Sequence, residues 1–199
     1  MADLEKTRKN LENRGFRAHV FATGAEAADY LAQTLHNTCI GIGGSVTIDT
    51  LGVYDRLCES NEVFWHWKNH APETRERAGK AETYLCSANG VSENGEIVNI
   101  DGFGNRVAGT IYGPERVFLV VGRNKIAPDL TGAIDRARNI AAPLNARRLN
   151  RHTPCAVGEP RCHDSRSPEK ICGVMTVVFM PPPSIKEFHV ILVDEDLGY

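Results

Sequence analysis

The segment from Ser87 to Ile126 constrains the fold of this chain more than any other. It reads SANGVSENGEIVNIDGFGNRVAGTIYGPERVFLVVGRNKI. Apolar, largely β-branched runs at Ile97 to Ile100, Val107 to Tyr112 and Val117 to Val121 are separated by Asp101-Gly102-Phe103-Gly104-Asn105 and by Gly113-Pro114. Runs of this kind, broken by Gly, Pro, Asn and Asp, read as strands joined by tight turns, which predicts an antiparallel hairpin over 97–112. Polar residues without a packing purpose gather at the strand ends: Asn89 after the preceding strand, Asn105 with Arg106, and Arg123-Asn124-Lys125. Basic side chains beside amides at strand ends are where a sheet protein holds an anionic ligand. Asp101 is the stronger polar candidate of the segment. It could take a proton or hold a ligand hydroxyl, or it could anchor the Gly102 turn through its own carboxylate.

Upstream, Leu4 to Asn13 reads as a solvated helix, His19 to Phe21 as a short strand and Gly24 to Leu35 as an Ala-rich helix. Cys39 to Ile42 then enters Gly43-Gly44-Ser45, followed by apolar positions to Leu57 that suit one helix face or two short pieces. A strand, a Gly-Gly-Ser turn and a helix start present backbone N–H groups to an anion, with Ser45 or Thr47 adding a hydroxyl. The P-loop lysine and spacing are absent. Asn61 to His70 holds Phe64, Trp65, His66, Trp67 and His70, which suits an aromatic strand capping the core or, with His66 or His70, the wall of a cleft. Downstream, Leu130, Ile134, Ala137 and Ala141 recur at helical spacing, with Asp129 as N-cap and Arg136 and Arg138 facing out. Pro143 is expected to end this helix, leaving Asn145, Arg147 and Arg148 in a connector that is either a solvated basic turn or an anion clamp. Phe188 to Val193 makes a last buried strand.

The balance of charge narrows the function. A net charge of -2 over 199 residues gives no global field for nucleic acid. No apolar run reaches the roughly 18 residues of a membrane helix, and Met1 to Lys6 lacks a signal-peptide core, so a cytoplasmic protein without nucleic-acid or membrane partners is expected. With 42% hydrophobic residues, the length suits a single domain over 1–199. Alternating strands and helices predict a three-layer α/β/α domain with a mostly parallel sheet.

Several phrases carry a family likeness. Ser87-Ala88-Asn89-Gly90, Asn99-Ile100-Asp101-Gly102-Phe103-Gly104-Asn105-Arg106-Val107, Val120-Val121-Gly122-Arg123-Asn124-Lys125-Ile126 and Ala141-Ala142-Pro143-Leu144-Asn145-Ala146-Arg147-Arg148-Leu149 resemble the lactate-utilisation domain family (LUD, DUF162), of the LutC/YkgG type. The likeness runs from Gly43-Gly44-Ser45-Val46-Thr47 to Glu195-Asp196-Leu197-Gly198-Tyr199. It implies a NagB/RpiA/CoA-transferase-like fold, the fold of sugar-phosphate isomerases and CoA transferases, in which the Gly43 to Thr47 turn meets the ligand. It also implies that the acidic end folds back against the domain. Ser92-Glu93-Asn94-Gly95 is similar to the motif that carries the nucleophilic glutamate of CoA transferases, although Glu-Asn-Gly is equally an ordinary turn.

The cysteine-containing loop over 151–173 is rich in Pro and Gly and needs a staple to order itself. Cys155, Cys162 and Cys172 supply thiolates suited to zinc or an iron-sulfur cluster. The family's cysteine-rich pattern is matched at these three positions but has Ser165 where a fourth cysteine would stand, and His163 is the remaining donor. Free thiols or one disulfide are the alternative.

Three functions follow. The first is a component of lactate or related 2-hydroxy-acid oxidation, with redox partner subunits, in which Arg106, Arg123 or Lys125 binds the carboxylate and Asp101 or a histidine manages the proton. The chain has no nucleotide fingerprint, since Gly41-Ile42-Gly43-Gly44 lacks the spacing and the later acid. The second is an acyl or sugar-phosphate enzyme using Glu93 or Asp101. The third is a non-catalytic assembly subunit with structural zinc. The oligomeric state is left open, a homo-oligomer included.

Overall fold

The computed structural model describes residues 2–199. A six-stranded, all-parallel sheet forms its centre, in the order β1 (Arg17–Phe21), β10 (Glu187–Val193), β7 (Arg116–Gly122), β4 (Thr83–Cys86), β2 (Cys39–Ile42), β3 (Glu62–Trp65). Parallel strands are buried on both faces and read as continuous apolar runs. In β7, Val117, Leu119 and Val121 point to one core and Phe118 and Val120 to the other; β10 divides in the same way, with Phe188, Val190 and Leu192 opposite Ile191 and Val193.

Helices α2 (Gly24–Thr34), α3 (Val46–Leu51) and α4 (Tyr54–Cys58) cover one face. The Val46 to Leu57 stretch is thus two pieces, parted by Gly52 in a left-handed conformation at φ 63°. The other face carries α1 (Leu4–Asn13), α5 (Thr74–Gly79), α6 (Asn105–Ile111) and a second sheet. That sheet runs β8 (Ile126–Ala127), β5 (Gly90–Ser92), β6 (Ile97–Asp101), β9 (Val174–Val178). The layers are therefore α/β/α, with the smaller sheet inserted into one of them.

The antiparallel insertion is bounded differently from the expected 97–112 hairpin. β6 pairs antiparallel with β5, across the turn 93–96, and with β9. Val107 to Ile111 is helical instead, in α6. Its buried Val107 and Thr110 recur at helical spacing, and the ring of Tyr84 passes so close to Gly109 that a Cβ there would lie 2.5 Å from it. The β-branched residues suggest a strand, but tertiary packing overrides that weak preference.

Pro143, expected to end its helix, lies inside one. The helix α7 (Leu130–Arg136) continues through a π-helical stretch, Ala137–Ala141, into α8 (Ala142–Arg148). Proline lacks an N–H and its ring collides with the carbonyl four residues back. Widening the preceding turn to the π spacing accommodates both defects, so the helix survives. Asn145, Arg147 and Arg148 consequently lie on a helix, not in a connector. Arg136, expected to face out, is buried.

Candidate anion site at the strand C-terminal ends

In an all-parallel sheet every strand ends on the same edge. The segments after β2, β4, β7 and β10 therefore meet, at the place where the strand order reverses between β2 and β4. A cavity of about 50 Å³ opens there, lined by Gly44 to Thr47, Ser87 to Asn89, Arg106, Lys125, Asn145 and Arg148, with Trp67 and Tyr199 at its sides. No Asp or Glu is among its lining residues.

Lys125 is the centre of this cavity. Strand β7 ends at Gly122, where a side chain would collide with Leu197 N (2.6 Å) and Glu195 O (2.7 Å) of the returning chain end. The single 3-10 turn Arg123–Lys125 then sends three polar side chains in three directions. Arg123 goes outward, to Asp196 (3.1 Å) and Asp194 (3.4 Å). Asn124 holds the chain end, accepting from Leu197 N–H at 3.1 Å and donating to Gly198 O at 3.2 Å. Lys125 goes inward, where Nζ donates to Thr47 Oγ1 (2.7 Å) and Ser87 Oγ (2.9 Å). It is 3% exposed. Burial, with Arg136 and Arg106 nearby, pushes its ammonium down to about 7.

An ammonium has three N–H donors, and two are engaged by hydroxyls. Among the described residues no carboxylate pairs with Lys125 and no protein acceptor takes the third donor. A buried cation without a counter-ion is costly, so the cavity favours an anion.

The neighbouring groups are placed by the inserted sheet and the long helix. Arg106 opens α6, and its guanidinium donates to Ile100 O and, at 3.5 Å, to Asn89 Oδ1. Buried Arg136 donates to Asn89 O (2.6 Å) and Asn124 O (2.7 Å), tying together the loops that carry Asn89 and Lys125. Ala141, Asn145 and Arg148 present one face of the π-containing helix to the cavity. Arg147 points elsewhere, donating to Ala156 O (3.1 Å) and Gly158 O (2.7 Å).

The glycine turn contributes Gly44, Ser45 and Thr47 to the lining. Gly43 continues the sheet, its N–H donating to Leu85 O at 3.1 Å. Ser45 caps α3, Oγ accepting from Ile48 N–H at 3.2 Å. A Cβ at Gly43 would lie 2.9 Å from Arg106 Cγ, so the turn and the arginine fit only without a side chain there.

The two acids named from sequence are placed apart from Lys125. Asp101 accepts from Gly102 N–H and Arg106 N–H, both at 2.8 Å, and from Val107 N–H at 3.4 Å. It caps α6, whose own N-cap, Gly104, has no side chain to do so. Its ion pair with Arg106 is long, at 3.9 Å. Asp101→Ala is expected to lower the unfolding free energy by about 1–2 kcal/mol in a urea titration, since it removes a cap and loosens Arg106; unchanged stability would show that α6 starts without it. Glu93 lies at the far end of β5, against α1, where it takes Lys6 Nζ (2.8 Å) and Asp3 N–H (3.2 Å). It does not line the cavity. Asn105 lines an adjoining outer groove instead, its backbone O accepting from Tyr84 OH at 3.1 Å. His66 lines that groove too, whereas exposed His70 only contacts His66 O.

Cys155, Cys162, His163 and Cys172 line a second small cavity, on the Ala142, Pro143 and Ala146 face of α8. Cys162 Sγ accepts from Arg138 at 3.6 Å and from Asp164 N–H at 3.4 Å. Among the described residues no three His, Cys, Asp or Glu side chains are arranged to hold a metal ion. The Cys155, Cys162, Cys172 and His163 donors as placed do not form a site for zinc or an iron-sulfur cluster.

Two residues serve the site in ways their sequence context does not disclose: Arg136, expected to face out, braces its loops, and Trp67, expected in a core-capping strand or a cleft wall, lines it. The helical register that buries Ala133 and Ala137 also turns Arg136 inward, and that was the available signal.

These features define a three-layer α/β protein with a cationic cavity at the C-terminal edge of a parallel sheet. The chain belongs to the LUD domain family, whose model matches residues 4–193, and at the level of that family it is a lactate-utilisation-type protein. A crystal structure of a DUF162 family protein from Deinococcus radiodurans is similar in fold, with a TM-score of 0.56 and 14% identity over 96% of this chain and 95% of that chain. No curated protein matches this chain. None of the described helices is long and apolar enough to cross a membrane.

Proposed function

We propose that the Lys125 cavity binds the carboxylate of lactate or a related 2-hydroxy acid, and that the protein is a component of the oxidation of that acid. One observation carries this reading: among the described residues, a buried lysine with no carboxylate ion pair and a third N–H donor without a protein acceptor lines a cavity that holds further cations and no Asp or Glu. Arg106 and Arg148 supply additional donors, and Asn145 and Asn89 supply amides. A bound carboxylate stabilises the ammonium and raises its pKa, so the lysine is charged in the complex. Before binding it sits at about 7, so near and above neutrality part of the free protein carries a neutral amine that takes up a proton from solvent when the carboxylate binds.

The sign of the pH dependence follows. Lactate is an anion throughout the neutral range, so only the lysine titrates. Below about 7 the free protein is already charged; above it each binding event must also take up a proton. Lactate affinity in a calorimetric titration is expected to fall by up to about tenfold per pH unit above neutrality, with proton uptake visible in buffers of different ionisation enthalpy. Equal affinity from pH 6 to pH 9 would contradict the assignment.

A further inference from the structure

Beyond the inner cavity lies a wider groove of about 490 Å³, which shares Gly44, Trp67, Arg106, Asn145 and Arg148 with it. Its size falls in the range of small-molecule sites and well exceeds what a three-carbon acid needs. Three of its cations are not paired with a carboxylate among the described residues. Elsewhere Arg8, Arg14, Arg17, Arg56, Arg77 and Arg123 each pair with a carboxylate. In the groove, Arg75, Arg148 and Arg151 have no carboxylate partner among the described residues. The groove's own acids are Asp101, which is taken up by the start of α6, and Glu169, which accepts from His152 N–H at 2.9 Å and lies near Arg151 without a direct ion pair.

Two aromatic planes flank these cations. Arg148 lies over the ring of Trp67 at 4.8 Å, and Arg75 over Phe103 at 4.3 Å. Phe103 is 74% exposed at the groove edge. Two polar atoms from residues lining the groove, His66 Nδ1 and Arg75 Nε, are buried without a protein partner. Unsatisfied buried groups of this kind cost stability unless a ligand or water completes them.

We infer that the groove binds a nucleoside diphosphate group beside the acid, the guanidinium groups taking the phosphates and the exposed Phe103 ring the base. Stacked guanidiniums are pre-oriented for phosphate oxygens, and an aromatic face accepts any base. This requires no dinucleotide fingerprint, because the phosphates meet side chains here and not a glycine-rich helix start. It rests on the acid-site reading only for what lies at the inner end.

Titration calorimetry of the full chain tests it, with ADP, pyrophosphate and lactate as separate probes at fixed salt. ADP is expected to bind at least about tenfold tighter than pyrophosphate, and Phe103→Ala and Arg151→Ala each to weaken ADP by about tenfold. Both residues are exposed, so the variants should fold, and Phe103→Ala should leave lactate affinity unchanged. NAD and coenzyme A, which both carry this group, should compete with ADP, and the stronger competitor identifies the carrier. The inference fails if ADP binds no better than pyrophosphate, if the two variants leave ADP affinity unchanged, or if neither carrier competes. Absence of lactate binding with these ADP results intact would overturn the acid-site reading alone.

Discussion

Lys125→Met is expected to lower lactate affinity by at least about thirtyfold while leaving the protein folded. The affinity loss follows from removing a desolvated, charge-assisted donor to a carboxylate, a change on the order of 2–5 kcal/mol. The effect on stability has the opposite sign from most core substitutions. Lys125 is buried beside Arg106 and Arg136 without a carboxylate to compensate it, and Met has a similar length with no charge to desolvate. Loss of the hydrogen bonds to Thr47 and Ser87 offsets part of that gain. The melting temperature at pH 7 without ligand should therefore be unchanged or higher. A large drop in melting temperature would mean that the lysine is primarily structural, and retained lactate binding would mean that the ligand sits elsewhere.

Gly41→Ala is expected to have the largest effect on the fold, on the order of 3 kcal/mol or more. Gly41 lies in the middle of β2 with α5 packed directly upon it. A Cβ there would stand 1.9 Å from the carbonyl oxygen of Ala78 and 2.7 Å from its carbon. The obstruction is backbone, so no rotamer change relieves it; either α5 or the strand must move. Since β2 runs straight into the Gly43 to Thr47 turn, a variant that still folds should also bind lactate more weakly. Urea denaturation reads the first effect and calorimetry the second. Wild-type stability would show that α5 is not seated on the strand as described.

Much of the architecture is legible in the residues because parallel strands buried on both sides leave unbroken apolar runs, as in Val117 to Val121 and Phe188 to Val193. The turns after them are legible too, because glycines, amides and basic residues at strand ends have few packing roles. What the sequence does not disclose is direction. Arg123, Asn124 and Lys125 look equivalent as neighbours, yet a single 3-10 turn gives the first to the Asp194 and Asp196 carboxylates, the second to the Leu197 backbone and only the third to the cavity. Asp101 is chemically competent in isolation, but the helix it caps forms from a run whose composition suggests a strand. Pro143 predicts a helix end by its own chemistry, and the π turn that rescues the helix depends on packing that a local pattern does not carry. Arg136 shows the same principle in reverse: a charged residue on an alanine-rich helix face is taken as solvated until two loop carbonyls are found waiting for it.

The chain end illustrates how distant segments complete one wall. Leu197 is buried, its carbonyl accepting from Thr47 Oγ1 at 3.2 Å, and Gly198, with φ 63°, sits where a side chain would come within 2.6 Å of that same oxygen. The glycine turn, the Lys125 turn and the returning end are thereby fastened to one another, so the lysine is held rigidly where it meets a ligand.

The central claim is tested most directly by determining a crystal structure with lactate soaked in at neutral pH. The account predicts density for the acid in the inner cavity, with a carboxylate oxygen within hydrogen-bond distance of Lys125 Nζ and the guanidinium of Arg106 alongside. Lactate ordered at the cysteine-lined cavity or at Arg123, with only water beside Lys125, would contradict it.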